Sequence, residues 1–224
     1  MAALSPMVKI GFIRRKECWS LTLRGWLTLL LCALVVIVVG VQSVFPFLAV
    51  NQPVKGEILV VEGWVPDYSV KQVRSEFIKG GYSLLIVTGG PIIKGEMCAE
   101  FKTYAELTKA ILQRNGFDED KLVAVPSEER FRNRTYASAL ALREWISKSG
   151  LAVKSLNVFT RSAHARRTWL LFEKAFQGRI EVGIIAGDDL RYDGKRWWRS
   201  SEGVRDILDE AIAYLYARFL FYPR

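Results

Sequence analysis

Between Val158 and Arg167 the chain reads Val-Phe-Thr-Arg-Ser-Ala-His-Ala-Arg-Arg. Ten residues hold the sole histidine, His164, together with Arg161, Arg166, Arg167, Thr160 and Ser162. The stretch opens as an apolar strand and closes as the first turn of a helix. Open α/β sheets bind ligands beyond the carboxyl ends of their strands. A helix N-terminus there presents free N–H groups and partial positive charge to an anion. Arginine adds a planar, permanently charged fork suited to phosphate or carboxylate. The stretch therefore predicts an anion-binding edge with one titratable group, His164. The plainer alternative is that the arginines are solvated or paired with Glu173 and Glu181, and that His164 caps the turn.

Other polar clusters also follow apolar runs: Glu62-Gly63-Trp64, Thr88-Gly89-Gly90, Ser127-Glu128-Glu129 with Arg132 to Thr135, and Gly187-Asp188-Asp189. In a parallel sheet these loops share one edge and can converge. Gly89 and Gly90 would let backbone N–H groups approach a phosphate, since glycine removes the side-chain obstacle. Neither a Gly-x-Gly-x-x-Gly fingerprint nor a P-loop is present, which argues against those nucleotide folds. Glu62, Glu100, Glu128 and Glu129 are the carboxylates available to hold a hydroxyl, orient His164 or act as a base. Asp188-Asp189 could hold magnesium, but a loop pair of this kind reads more simply as a turn. One histidine without clustered cysteines excludes an ordinary zinc site. Ser162 and His164 lack the Gly-x-Ser-x-Gly elbow of a hydrolase nucleophile.

The elements that must position these residues alternate. Glu57–Glu62, Ser83–Thr88, Lys121–Val125, Ser155–Phe159 and Ile180–Ile185 are short apolar runs of strand length. Tyr68–Lys79, Ala99–Asn115, Thr135–Lys148, Ala163–Phe176 and Ser201–Phe221 carry apolar residues at helical spacing. Five buried strands alternating with helices predict a mainly parallel sheet covered on both faces. The expected fold class is α/β, a Rossmann-like doubly wound domain over residues 55–224. Its last helix is aromatic nearly all round, and Trp197-Trp198 precedes it.

Ahead of this domain, residues 1–24 hold five basic residues against Glu17. Gly25 to Val50 then runs without a charge. A spanning helix needs about 20 apolar residues. Pro46 is expected to end or kink the run, leaving Gly25–Phe45 as the central span, with Trp26 and Phe45/Phe47 at the interfaces. The positive-inside rule puts residues 1–24 in the cytoplasm and the domain outside. The run exceeds the apolar region of a signal peptide, so an uncleaved single-pass anchor over residues 25–50 in the lipid bilayer is expected. Residues 51–56 read as a linker. The formal net charge of +9 favours acidic partners such as phosphates or anionic headgroups. No recognition-helix or zinc-finger pattern supports nucleic acid. Cys18, Cys32 and Cys98 form no Cys-x-x-Cys pair.

The motif order resembles the SanA/ElyC/YdcF family, domain-of-unknown-function family 218. The matching residues are Glu62-Gly63, Arg74, Thr88-Gly89-Gly90, Glu100, Glu129 with Asn133-x-Thr135, and Thr160-Arg161-Ser162-Ala163-His164-x-Arg166-Arg167. The resemblance covers about residues 55–210. Three features depart from the usual pattern: Trp64 in the first turn, one extra residue between Asn133 and Thr135, and Arg161 in place of a second Ser/Thr. The resemblance implies a bacterial inner-membrane protein connected with envelope integrity or with polysaccharide and peptidoglycan precursors. It assigns no settled reaction and no cofactor.

The leading expectation is an outward-facing domain that binds an anionic, phosphorylated or nucleotide-like envelope precursor. Gly89 and Gly90 would present donors, Arg161, Arg166 and Arg167 would hold the anion, and His164 with Glu100 would supply any acid/base chemistry. Glu62, Gly63, Arg74, Thr88, Glu129, Asn133, Thr135 and Ser162 complete the expected ligand site. One rival is a non-catalytic factor holding a protein partner on its aromatic surface. Another, resting on fold analogy alone, is a cofactor-binding, methyltransferase-like enzyme.

Overall fold

Apolar runs of five to seven residues, buried on both faces, form the centre of the domain. The computed structural model describes residues 21–93, 100–128 and 131–222. Five strands pair in parallel: β1 (Ile58–Glu62), β2 (Leu84–Gly89), β3 (Leu122–Pro126), β4 (Ser155–Arg161) and β5 (Glu181–Gly187). Their order across the sheet is β3-β2-β1-β4-β5. The chain winds outward from β1 to β3, crosses back to β4, and winds outward again. The expected Rossmann-like, doubly wound fold is the observed one. Its topological switch point lies between β1 and β4, where ligand crevices form in this architecture.

Side-chain alternation along the strands sorts the helices onto two faces. Ile58 and Val60 pack with Ile86, Val158 and Ile184 against α4 (Arg134–Ser149) and α5 (Ala165–Phe176). Leu59 and Val61 pack with Leu85, Val87 and Phe159 against α2 (Ser69–Gly80) and α3 (Tyr104–Arg114). Phe172 and Phe176 of α5 are the largest fully buried side chains among the described residues. Burying each contributes about 1.5–3 kcal/mol relative to exposure. The last helix, α6 (Ser201–Phe219), packs against α5 and the turn after β4. Ser200 caps it by accepting from the Gly203 N–H. Glu100, Phe101 and Lys102, expected in α3, precede the observed helix, which starts where Thr103 and Glu106 form a capping box.

The apolar N-terminal run is a single helix, α1 (Leu23–Leu48), long and apolar enough to cross a membrane. Pro46 lies inside it rather than at its end. A proline removes one intrahelical donor, yet the helix continues two residues further, to Leu48, which is buried in the core. By its contacts the chain divides into units of residues 1–40 and 41–224. Residues 51–56, read as a linker, are partly tied to the sheet. Gln52 exchanges backbone hydrogen bonds with Ile184, and Val54 bonds to the Asn157 side chain through both N–H and C=O.

Gly63 joins three elements at the C-terminal rim. Its N–H donates to Thr88 O (2.6 Å) and its carbonyl accepts from Thr108 Oγ1 (2.5 Å). A Cβ added there would meet Tyr104 O at 2.5 Å. Gly63→Ala is expected to lower stability by about 1–3 kcal/mol through overpacking. Thermal unfolding of the detergent-solubilised chain measures this, and an unchanged melting temperature would show that the rim relaxes freely.

Candidate functional site

Strand ends position the site. Glu62 is the last residue of β1 and Arg161 the last of β4, so both lie at the C-terminal rim beside the switch point, with Thr160 next to Glu62. After β4 the chain makes a tight turn, Ser162–His164, with Ser162 in the left-handed region at φ 34°. The turn carries His164 back over the sheet, where its side chain is 6% exposed. Here the rim encloses a cavity of about 360 Å³.

His164 is held between two buried carboxylates. Its Nδ1 lies 2.7 Å from Glu210 Oε1, contributed by α6. Arg167, one turn along in α5, donates to both oxygens of Glu210, at 2.9 and 3.1 Å. Burial alone would push the Glu210 carboxyl up, but the charges and hydrogen bonds of His164 and Arg167 outweigh it and hold it well below the usual carboxylate range. Glu210 is thus an ion and an acceptor, so His164 donates to it from Nδ1. Arg167 Nη2 also approaches Nδ1 at 2.9 Å. Two donors cannot bond each other, so that proximity reflects their shared partner.

The other ring nitrogen, Nε2, faces Glu62. Nε2 is buried and has no hydrogen-bond partner among the described residues. It sits 3.6 Å from Glu62 Oε2, beyond a hydrogen bond. That same Glu62 oxygen accepts from Thr160 Oγ1 (2.5 Å) and Thr168 Oγ1 (2.9 Å). The Trp64 ring stands edge-on to the imidazole at 4.6 Å. A histidine oriented through one nitrogen, with the other lining the cavity unpartnered among the described residues, is an arrangement suited to general acid–base chemistry. Glu62 is placed to stabilise the imidazolium formed when Nε2 takes a proton.

Opposite His164, the cavity is lined by Thr88, Gly89 and Gly90 after β2 and by Asn133, Arg134 and Thr135 at the start of α4. Asn133 is in the left-handed region at φ 48° and makes no side-chain cap. The first intrahelical bond of α4 runs from the Ala137 N–H to Asn133 O. The N–H groups of Arg134, Thr135 and Tyr136 therefore have no helical acceptor, the kind of helix start that suits an anion. The Arg134 side chain is exposed at this mouth. The remaining wall is apolar and aromatic: Tyr104 from α3, Leu171 from α5, and Ala213, Tyr216 and Ala217 from α6, with Phe221 beyond it.

Of the residues singled out in the sequence, Glu62, Thr88, Gly89, Gly90, Asn133, Thr135, Arg161, His164 and Arg167 meet at this cavity. Others lie elsewhere. Glu100 is exposed and 3.9 Å from Arg114, away from His164. Arg74 donates to Asn115 O. Arg166 donates to Phe47 O, a terminal carbonyl of α1, and lies over the Phe47 ring at 4.1 Å. Gly63 and Ser162 shape the turns rather than the wall, and Glu129 lies outside the described residues.

Nor is Arg161 a free fork. It donates to Asp206 Oδ1 (2.6 Å), lies 3.2 Å from Asp189 Oδ2, and stacks over Trp64 at 5.2 Å. Asp189 also binds Arg191 and accepts from the Tyr68 hydroxyl. Burial and the hydrogen bond to Asp206 push the Tyr192 phenol far above its ordinary value. Arg161 and Arg167 thus pair with Asp189, Asp206 and Glu210, not with Glu173 and Glu181, the partners of the plainer alternative.

Sequence reading missed Glu210 and Asp206. They are four apart on α6 and share one helix face. That spacing was legible, but the aromatic residues around it drew the helix toward a purely structural role.

No family model matches the chain, and no curated protein matches it. Among solved structures, pantoate-beta-alanine (pantothenate synthetase) from Thermus thermophilus is similar at 12% identity and a TM-score of 0.31. The match covers 78% of this chain and 70% of that one.

The Glu210 pairing predicts a pH dependence. A carboxyl depressed below its unfolded value, about 4.3, adds stability that is present above that pH. The contribution is lost as pH falls through the folded value. Glu210→Gln should cost about 3–5 kcal/mol at neutral pH by leaving buried His164 and Arg167 without their anion. The gap to wild type should narrow on acidification below about pH 4. Unfolding midpoints of both proteins across an acid series test this.

Proposed function

We propose that the chain is a membrane-anchored enzyme whose α/β domain binds a phosphorylated or otherwise anionic small molecule and moves a proton through His164. The carrying observation is His164 Nε2, buried in the cavity wall, unpartnered, and aligned through Nδ1 by ionised Glu210. The anion would rest against the free N–H groups that open α4, beside Arg134 and the Gly89-Gly90 backbone. Nε2 would take a proton from water or a ligand hydroxyl attacking the bound group, or return it to a leaving oxygen. Glu210 and Glu62 would hold the positive charge formed. Hydrolysis or transfer at a phosphorylated centre fits this arrangement, and Glu62 replaces Glu100 as the second carboxylate.

Helix α1 supports anchoring, since its 26 residues exceed what a bilayer core requires. The SanA/ElyC/YdcF resemblance, whose Thr-Gly-Gly and histidine motifs both reach the cavity, supplies the proposed setting: the bacterial inner membrane, with the domain outside and an envelope precursor as ligand. A second, non-catalytic reading draws on the exposed stripe Leu208, Ile212, Leu215 and Phe219 of α6, which could hold a protein partner.

Full-length protein in detergent, assayed for phosphate release and binding across a panel of phosphomonoesters, tests the reading. His164→Asn is expected to reduce turnover by about 10²–10⁴-fold while leaving binding within a few-fold. Arg134→Gln is expected to weaken binding by about tenfold, the loss of one exposed contact to an anion. Equal turnover by wild type and His164→Asn would remove the proton-transfer role. Tolerance at His164 together with sensitivity at Ile212 and Phe219 of the stripe would favour the non-catalytic reading.

A further inference from the structure

The segment between β5 and α6 contains Lys195-Arg196-Trp197-Trp198-Arg199, two tryptophans among three cations. None of this belongs to the cavity described above. The two rings are used differently. Trp197 is buried, and its Nε1 donates to Val41 O (3.1 Å) on α1. Trp198 stands edge-on to it at 5.9 Å and is 42% exposed. Gly194 fits against the Phe45 ring so closely that any Cβ would collide with it. The segment is thus fastened to the last two turns of α1.

Lys195, Arg196 and Arg199 are exposed, and their side chains make no ion pair among the described residues. Arg205 adds a fourth cation beside them, paired at 3.1 Å with Glu202. The acidic groups nearby are Glu202 and Asp193, and Asp193 caps this segment by accepting from the Lys195 N–H. A shallow crevice runs between Trp198, Arg199 and Arg205.

On α1 the apolar run gives way at Gln42 and Ser43, both exposed. Leu23 to Val41 covers about 28 Å of helix, close to the thickness of a bilayer core. If α1 spans, Val41 marks the level at which the chain emerges. Tryptophan prefers that level, and free cations there meet lipid phosphates. We infer that residues Gly194–Arg199 form a collar around the emerging helix that binds anionic phospholipid headgroups, with Trp198 at the interface and Lys195, Arg196 and Arg199 on the phosphates. This rests on reading α1 as a membrane span. A protein partner fits less well, because the patch is small, cationic and fastened to the emerging helix.

The test uses the full chain in vesicles containing equal parts of phosphatidylcholine and phosphatidylglycerol. After mild extraction, native mass spectrometry counts the lipids each chain retains. Wild type is expected to retain phosphatidylglycerol over phosphatidylcholine by about 100-fold, given roughly 1 kcal/mol for each of the three cations at a membrane surface. K195Q/R196Q/R199Q should fall to near parity with an unchanged melting temperature, while R196K/R199K keeps the preference. An undiminished preference in the triple glutamine variant, or none in wild type, would overturn the collar. An alkaline wash of the same vesicles separates the two readings: wild type that washes off refutes the anchor and the collar together. Wild type and variant that both stay, with equal lipid selectivity, refute the collar alone.

Discussion

A buried histidine between two buried carboxylates is the constraint on which the site depends. Charges withdrawn from water must be paired or satisfied by hydrogen bonds. Glu210 meets this with His164 and Arg167, and Glu62 meets it with two threonine hydroxyls. Those partners come from β1, β4, α5 and α6. No single element can shift without leaving one of these charges unsatisfied. The rim is therefore held in place by electrostatics as well as by packing, and the base it presents is oriented before any ligand arrives.

Much of this frame was readable from the chain. Strands ending in polar residues, each followed by a glycine or a helix start, forced the polar groups onto one rim once the sheet was parallel. That reasoning placed Glu62, Gly89, Thr135 and His164 together. It failed where pairing is decided by tertiary position. Arg161, Arg166 and Arg167 look alike in sequence, yet one is tied to two aspartates, one to a helix carbonyl and one to the histidine's carboxylate. Glu100 lay near the expected rim in sequence, but it precedes the capping box that starts α3 and faces outward. Glu210 could be found only by asking which carboxylate reaches a histidine in the preceding helix layer.

Helix α6 links these observations. Its inner face supplies Asp206 and Glu210, its wall supplies Ala213 and Tyr216, and another face packs Ile207 and Tyr214 against the end of α1. Chemistry and attachment thus meet on one nineteen-residue helix. Displacing α6 would disturb both the alignment of His164 and the packing around Leu48.

Two of the three described non-glycine residues with left-handed backbone bear on the site: Asn133 lines the cavity, and Ser162 makes the turn that leads to His164. Each such residue costs on the order of 1–3 kcal/mol unless its surroundings impose it. Tension of this sort gathers where a fold has been shaped for something other than its own durability. A sequence optimised for robustness alone would place glycine at both points, and it would gain heat resistance by loosening the walls that a ligand must find already set.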